Sequence, residues 1–112
     1  MMIRFKQGDI VWVDFSPSVG QEMRGKHPAV VISSNSYNDK THYLMVCPIT
    51  SHGNNFPTYV DLEGYSVHGR VNAAQIQTFS RERLLDEKPA GHLRPEDLFK
   101  VQHMLEFALQ LD

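Results

Sequence analysis

Two hydrophobic periods divide the chain. Residues 8–15, GDIVWVDF, alternate with a period of two. Ile10, Trp12 and Asp14 fall on one face and Val11, Val13 and Phe15 on the other, and the β-branched and aromatic content predicts a first strand. Residues 28–33, PAVVIS, form a short apolar run suited to a central strand covered on both sides. Residues 42–50, HYLMVCPIT, read as a third strand with Pro48 near its end, where a missing N–H is tolerated. TYVDLE, residues 58–63, alternates as a fourth strand before a turn at Gly64, and residues 69–80, GRVNAAQIQTFS, supply one long or two short further strands. Between these runs lie a loop punctuated by Pro17, Gly20 and Gly25, a turn or single helical turn over residues 34–40, and a polar loop containing Gly53. The strand and turn signals recur every 8–15 residues or roughly so, the spacing of a compact antiparallel barrel.

The period changes at the C-terminus. Pro95 suits the first helical position, Glu96 and Asp97 suit the positive end of the helix dipole, and Leu98, Val101, Leu105 and Ala108 recur at helical spacing. That stripe is expected to pack on the barrel, or on a partner. Phe99, Phe107 and Leu111 add apolar surface away from it, consistent with a dimer. The fold class expected is mainly β, an antiparallel barrel with a C-terminal α-helix, in one domain over residues 1–112; repeats, linkers and low-complexity tracts are absent.

Composition narrows the functional classes. Eleven Lys and Arg stand against 13 Asp and Glu, a formal net charge of −2, so a global basic excess does not mark a nucleic-acid binder and only a local positive patch could do so. Hydrophobic residues make up 41%, which supports a packed core and argues against disorder. The single cysteine, Cys47, lies in an apolar run and has no intramolecular partner, so it reads as a buried thiol. The opening MMIRFKQGDI lacks the apolar segment of a signal peptide, and no stretch approaches a membrane span; a cytoplasmic protein without membrane association is the expectation.

Several chemistries lose their usual signatures. The six histidines show no metal-ligand spacing and no cysteine pair supports them, so no metal or other cofactor is expected. His52, His68, His92 and His103 are expected in solvated loops or on a helix face. GxSxG, the P-loop and GxGxxG are all missing. RNA cleavage asks less of a protein, because the ribose 2′-OH is the nucleophile and the protein adds a base, an acid and a cation or donor for the phosphorane. The loop and strand QEMRGKHPAVVIS, residues 21–33, offers that inventory. Glu22 could accept a proton, Arg24 and Lys26 could hold phosphate oxygens, and His27 could donate or accept near neutral pH. Thr50 and Ser51 add hydroxyls at the end of the third strand. The competing reading of the same residues is a solvated polar hairpin.

The ordered set GDIVWVDFSPSVGQE, GKHPAVVIS, CPITS, FPTYVDL and GRVNAAQIQT resembles the MazF/PemK family of toxin endoribonucleases, from Gly8 to about Thr78. The resemblance implies an SH3-like β-barrel with a C-terminal helix, a homodimer, and metal-independent, sequence-selective cleavage of single-stranded mRNA. Its products would be a 2′,3′-cyclic phosphate or 3′-phosphate and a 5′-hydroxyl. It also implies a cognate antitoxin protein whose acidic, disordered segment blocks the RNA groove, in a type II toxin-antitoxin system. Carried over by position, the family threonine falls on Thr50 and the glutamate on Glu22, whereas the arginine that usually precedes the second strand's proline is His27 here. The aspartate that several members place before the fifth-strand glutamine is Ala74, beside a retained Gln75.

Those departures leave two readings. Either His27 serves as general acid or base while Arg24 or Lys26 supplies permanent charge, or the chain is a cleavage-deficient module that binds RNA or antitoxin without turnover. A gyrase-poisoning toxin of the same fold would call for a tryptophan near the C-terminus, and the only one is Trp12. For RNA contacts, Asn72 and Gln75 are candidates to bond nucleotide edges or else to satisfy a neighbouring backbone. Loop residues 19–26 and 51–56 could line a groove, with Tyr37 or Phe56 as stacking surfaces or as core.

Overall fold

A computed structural model describes residues 4–15, 25–51 and 58–110. The elements run β1 (Asp9–Asp14), β2 (Lys26–Val31), α1 (Asn35–Lys40), β3 (Tyr43–Thr50), β4 (Tyr59–Leu62), β5 (Gly69–Asn72), β6 (Gln77–Ser80), a single 3-10 turn (Arg81–Arg83), β7 (Gly91–His92) and α2 (Pro95–Leu109). All strand pairs are antiparallel, in the order β4-β5-β3-β2-β1-β7, with β6 added to β3. The antiparallel barrel expected from the sequence takes the form of a curled half-barrel sheet with the helix at its end. The run over residues 69–80 resolves into two strands, and both pair with β3.

The period-two alternation divides the apolar residues between two cores. One face carries Ile10, Val30, Cys47, Ile49, Val60 and Val71, closed by Leu93 and by Val101 of α2. The other carries Val11, Val13, Phe15, Ala29, Val31, Leu44 and Val46, with Phe5, Phe79 and Leu84 packed against them. The assignment of β1 follows the alternation read from the sequence. Pro48 lies where β3 changes partner, from β6 over Tyr43–Val46 to β5 at Ile49 and Thr50, so its missing N–H falls at a break in the ladder.

Two details differ from expectation. Ala108 is exposed, as are all residues from 106 to 110, because the last turn of α2 has run past the sheet; Met104 packs beside Leu98 and Leu105 instead. His92 is not in a solvated loop: it belongs to β7, where its Nδ1 lies 2.7 Å from Oδ1 of the buried Asp9. A two-residue strand is too short to leave a periodic signal. The segment over residues 34–40 is a true short helix, capped by Ser34 Oγ accepting from the Tyr37 amide at 3.1 Å. His52, Phe56 and Leu111 lie outside the described residues.

Two polar networks fasten the ends. Asn38, fully buried in α1, donates from Nδ2 to the carbonyls of Phe5 at 3.3 Å and Ser33 at 3.2 Å, and accepts from the Ser33 hydroxyl. At the start of α2, Tyr65 donates its hydroxyl to Asp97 at 2.6 Å, receives the Arg94 amide at 2.9 Å, and lies under the Arg94 guanidinium at 4.4 Å. Burial, and then the bond to Asp97, hold the Tyr65 phenol above its usual pKa. Among the described residues no helix is long and apolar enough to cross a membrane.

Removing the Asn38 amide orphans several buried groups at once. Asn38→Ala is expected to cost about 1–3 kcal/mol, seen as a lower urea midpoint with an unchanged m-value.

Burial pushes the Cys47 thiol up to about 12 from an ordinary 9.0. The folded protein therefore holds the neutral thiol while an unfolded chain ionises near the ordinary value. This group's contribution to stability is present below pH 9.0 and is lost as pH rises through about 12. Cys47→Ala is expected to flatten the alkaline limb of a plot of urea midpoint against pH between those values, and an unchanged limb would contradict the assignment.

Candidate active site

Among the described residues, His27 and Thr50 sit at one end of the β1–β2–β3–β5 ladder. His27 is half-buried at the start of β2, opposite Val13 of β1, and its ring meets Phe15 edge-on with centroids 6.3 Å apart. Val13 and Phe15 belong to the second core, so His27 lies on that face. Thr50 ends β3 on the same face, two residues beyond Pro48 and out of register with Ile49 of the first core. The β2–β3 ladder pairs Ala29 with Pro48. Carried two residues further, that register puts His27 opposite Thr50.

The other sequence candidates are distributed unevenly. Lys26 is exposed and pairs with Asp14; as His27's neighbour in the strand it points to the opposite face, away from Thr50. Ser51 is exposed just after β3. Asn72 and Gln75 come together in a turn beyond β5. The Asn72 Nδ2 donates to Gln75 Oε1 at 3.4 Å, its Oδ1 accepts the Ala74 amide at 3.1 Å, and its carbonyl accepts the Gln75 amide at 3.2 Å. Of the two roles open to these amides, Asn72 fills the backbone one, whereas the Gln75 side chain meets only the Asn72 side chain. Glu22 and Arg24 lie outside the described residues.

The sequence pattern does not single out Arg70, on the strand beyond Thr50. In the β3–β5 ladder Thr50 pairs with Arg70, and in the β4–β5 ladder Arg70 pairs with Asp61. The Arg70 Nε lies 2.9 Å from Asp61 Oδ1, and its guanidinium sits 5.4 Å from the centroid of the Tyr59 ring. The signal was present in the alternation of TYVDL, which puts Tyr59 and Asp61 on one face and Val60 and Leu62 in the core.

Gly69 fixes the backbone beside Thr50. Its φ is +132°, and a Cβ there would stand 2.4 Å from the Thr50 carbonyl oxygen and 2.8 Å from its carbon. Only glycine accepts both the conformation and the close approach. The end of the third strand is thus held by backbone packing, which positions the Thr50 side chain on the opposite side of the pleat.

Taken together, an imidazole, a hydroxyl and an oriented guanidinium share one face across three neighbouring strands. Such a set can exchange a proton, donate to a developing oxyanion and hold an anionic group. A shallow depression of about 430 Å³ lies nearby at the end of β1, lined by Asp14, Ser80, Glu82, Arg83 and Leu85; with two carboxylates to one guanidinium it suits an anion less well. Among the described residues no three His, Cys, Asp or Glu side chains gather as a metal site.

Comparison with known proteins gives this face a family. The family described as PemK-like, MazF-like toxin of type II toxin-antitoxin system matches residues 6–109. The endoribonuclease toxin MazF of Escherichia coli (strain K12) is 38% identical over 92 residues, 81% of each chain. The crystal structure of MazF (Form-I) from Deinococcus radiodurans superposes with a TM-score of 0.86 at 29% identity, covering 97% of this chain and 99% of that one. A MazE-MazF crystal structure (Form-II) from the same organism gives 0.81 at 28% identity, over 98% and 99%. The chain belongs to the PemK-like, MazF-like toxins of type II toxin-antitoxin systems.

Gly69→Ala is expected to cost about 1–3 kcal/mol through backbone strain alone, read from urea unfolding. A crystal structure of the variant should show the Thr50 carbonyl displaced; an unmoved carbonyl with parental stability would refute the positioning role.

Proposed function

We propose that the protein is the toxin of a type II toxin-antitoxin system, a metal-independent, sequence-selective endoribonuclease that cuts single-stranded mRNA and so halts translation and growth. The observation that carries this reading is the shared face of His27 and Thr50 at the end of the β2–β3 ladder. It is supported by the family match over residues 6–109 and by the endoribonuclease relative in Escherichia coli.

In this mechanism the ribose 2′-oxygen attacks the adjacent phosphorus, the bond from phosphorus to the 5′-oxygen breaks, and the 2′,3′-cyclic phosphate and a 5′-hydroxyl are released. One base takes the 2′-OH proton and one acid returns a proton to the leaving 5′-oxygen. His27 and Glu22 fill those two roles. The Thr50 hydroxyl donates to a non-bridging oxygen as charge builds on the phosphorane. Arg24 and Ser51 extend the RNA contact along the loop, while Lys26, on the other face of β2, meets a part of the RNA away from the phosphate at Thr50. Asn72 and Gln75 present the amide capacity left after their turn is made to base edges.

The partners follow from the same reading. RNA occupies the groove, and a cognate antitoxin with an acidic disordered segment competes for it; the MazE-MazF structure supports an antitoxin of this kind. A homodimer is supported by the outer face of α2, where Phe99, Phe107 and Leu109 stand exposed. The substrate places the protein in the cytoplasm, and residues 1–112 act as one toxin domain.

A second reading has its own observation. Ala74 is exposed and puts no carboxylate beside Gln75, and His27 lacks the permanent charge of a guanidinium. The chain would then bind RNA or antitoxin without turnover.

The deciding experiment is incubation with long single-stranded RNA in EDTA, with end mapping. Discrete cuts with 5′-hydroxyl ends are expected, and His27→Ala should lower the rate about 10²–10³-fold. An uncut RNA that nevertheless binds, together with cleavage by His27→Arg, would select the second reading.

A further inference from the structure

We propose that Arg70 is a substrate-binding residue of the cleavage site, its guanidinium holding a non-bridging oxygen of the RNA phosphodiester that lies against Thr50. The inference rests on the endoribonuclease reading and adds to it a group that the loop residues do not supply.

The argument begins with the ladder. Ile49 pairs with Val71 inside the first core, so the next pair, Thr50 with Arg70, emerges on the opposite face. Neighbouring strands stand about 4.8 Å apart. The backbone of Arg70 therefore stands one strand spacing from that of Thr50, with both side chains on the shared face and β2 on the other side of β3.

Orientation comes next. The Arg70 side chain is only 27% exposed, although it is a long cation in a four-residue strand. Asp61 takes its Nε edge at 2.9 Å and the Tyr59 ring supports its plane at 5.4 Å. Both supports sit on β4, on the side of β5 away from Thr50, so the guanidinium is oriented before a ligand arrives and loses little freedom on meeting one.

Charge makes the same assignment. Lys26 points to the other face of β2, and the imidazole of His27 lacks the forked, permanent charge of a guanidinium. A phosphodiester is an anion throughout the neutral pH range, and the phosphorane carries more negative charge. Arg70 is the described permanent cation paired directly with Thr50. It donates hydrogen bonds to the phosphate oxygen and neither gives nor takes a proton, so the proton balance of the transfer step is unchanged.

The test uses the full chain and an RNA containing one mapped cleavage site. The parent is compared with Arg70→Gln and Arg70→Met, the second keeping an apolar stem over Tyr59 should the first be unstable. Single-turnover cleavage is expected to fall about 10²-fold in a folded variant. Binding of the same RNA with a 2′-deoxy residue at the cut should show a salt slope lower by about 0.7, the contribution of one phosphate contact to a single strand. Arg70→Lys, which keeps a permanent positive charge at the same place, should retain part of the rate lost in Arg70→Gln together with the parental salt slope, a rescue that a purely structural role would not produce. Folded Arg70→Gln or Arg70→Met cutting within about twofold of the parent, with an unchanged salt slope, would overturn the assignment to Arg70 alone. A parent that cuts no RNA would instead overturn the cleavage reading, and this inference with it.

Discussion

Everything in this molecule is referred to β3, an eight-residue strand that must satisfy a different partner along each part of its length. β2 occupies one edge, while β6 and β5 share the other and meet near Pro48. Because an antiparallel ladder fixes which residues stand opposite one another and the pleat fixes which face they take, a one-residue slip would exchange the two cores. Val46 and Leu44 would leave one core while Cys47 and Ile49 left the other. The apolar sequence on both faces forbids that slip. The position of Thr50 is thus a by-product of burying four apolar side chains upstream of it.

This constraint explains why the strands were legible and much of the site was not. Alternation in GDIVWVDF and TYVDL, the apolar run PAVVIS, and the stripe of the C-terminal helix each carry their own period, so strand positions and faces could be read directly. Register is a relation between distant segments, and no local pattern announces that residue 50 will stand opposite residue 70. Lys26 and His27 illustrate the point from within one segment. Read as composition they form one basic cluster; placed in a strand they part company to opposite faces. His92 and the two-residue β7 lie below the length at which periodicity carries information.

The chemistry of the face divides between residues held by backbone and residues held by side chains. His27 leans on Phe15 and Thr50 on the backbone of Gly69 in β5, whereas Asn72 spends its polar groups on the following turn. A residue already bonded within its own turn is rigid but poor in remaining donors. One packed against an aromatic ring or a ladder keeps its polar edge available. By that measure β5 contributes more through its first two residues than through the amide at its end.

Gly69 and Arg70 are adjacent, yet they answer to opposite demands. The first is a backbone pivot that accepts no side chain. The second projects away from the core, and its size and charge can change without disturbing the pivot. A strand built this way separates the part of the site that must stay constant from the part that can drift. Related chains could therefore re-tune what they recognise beside the threonine by exchanging one residue on β5, leaving the scaffold that aims the threonine untouched.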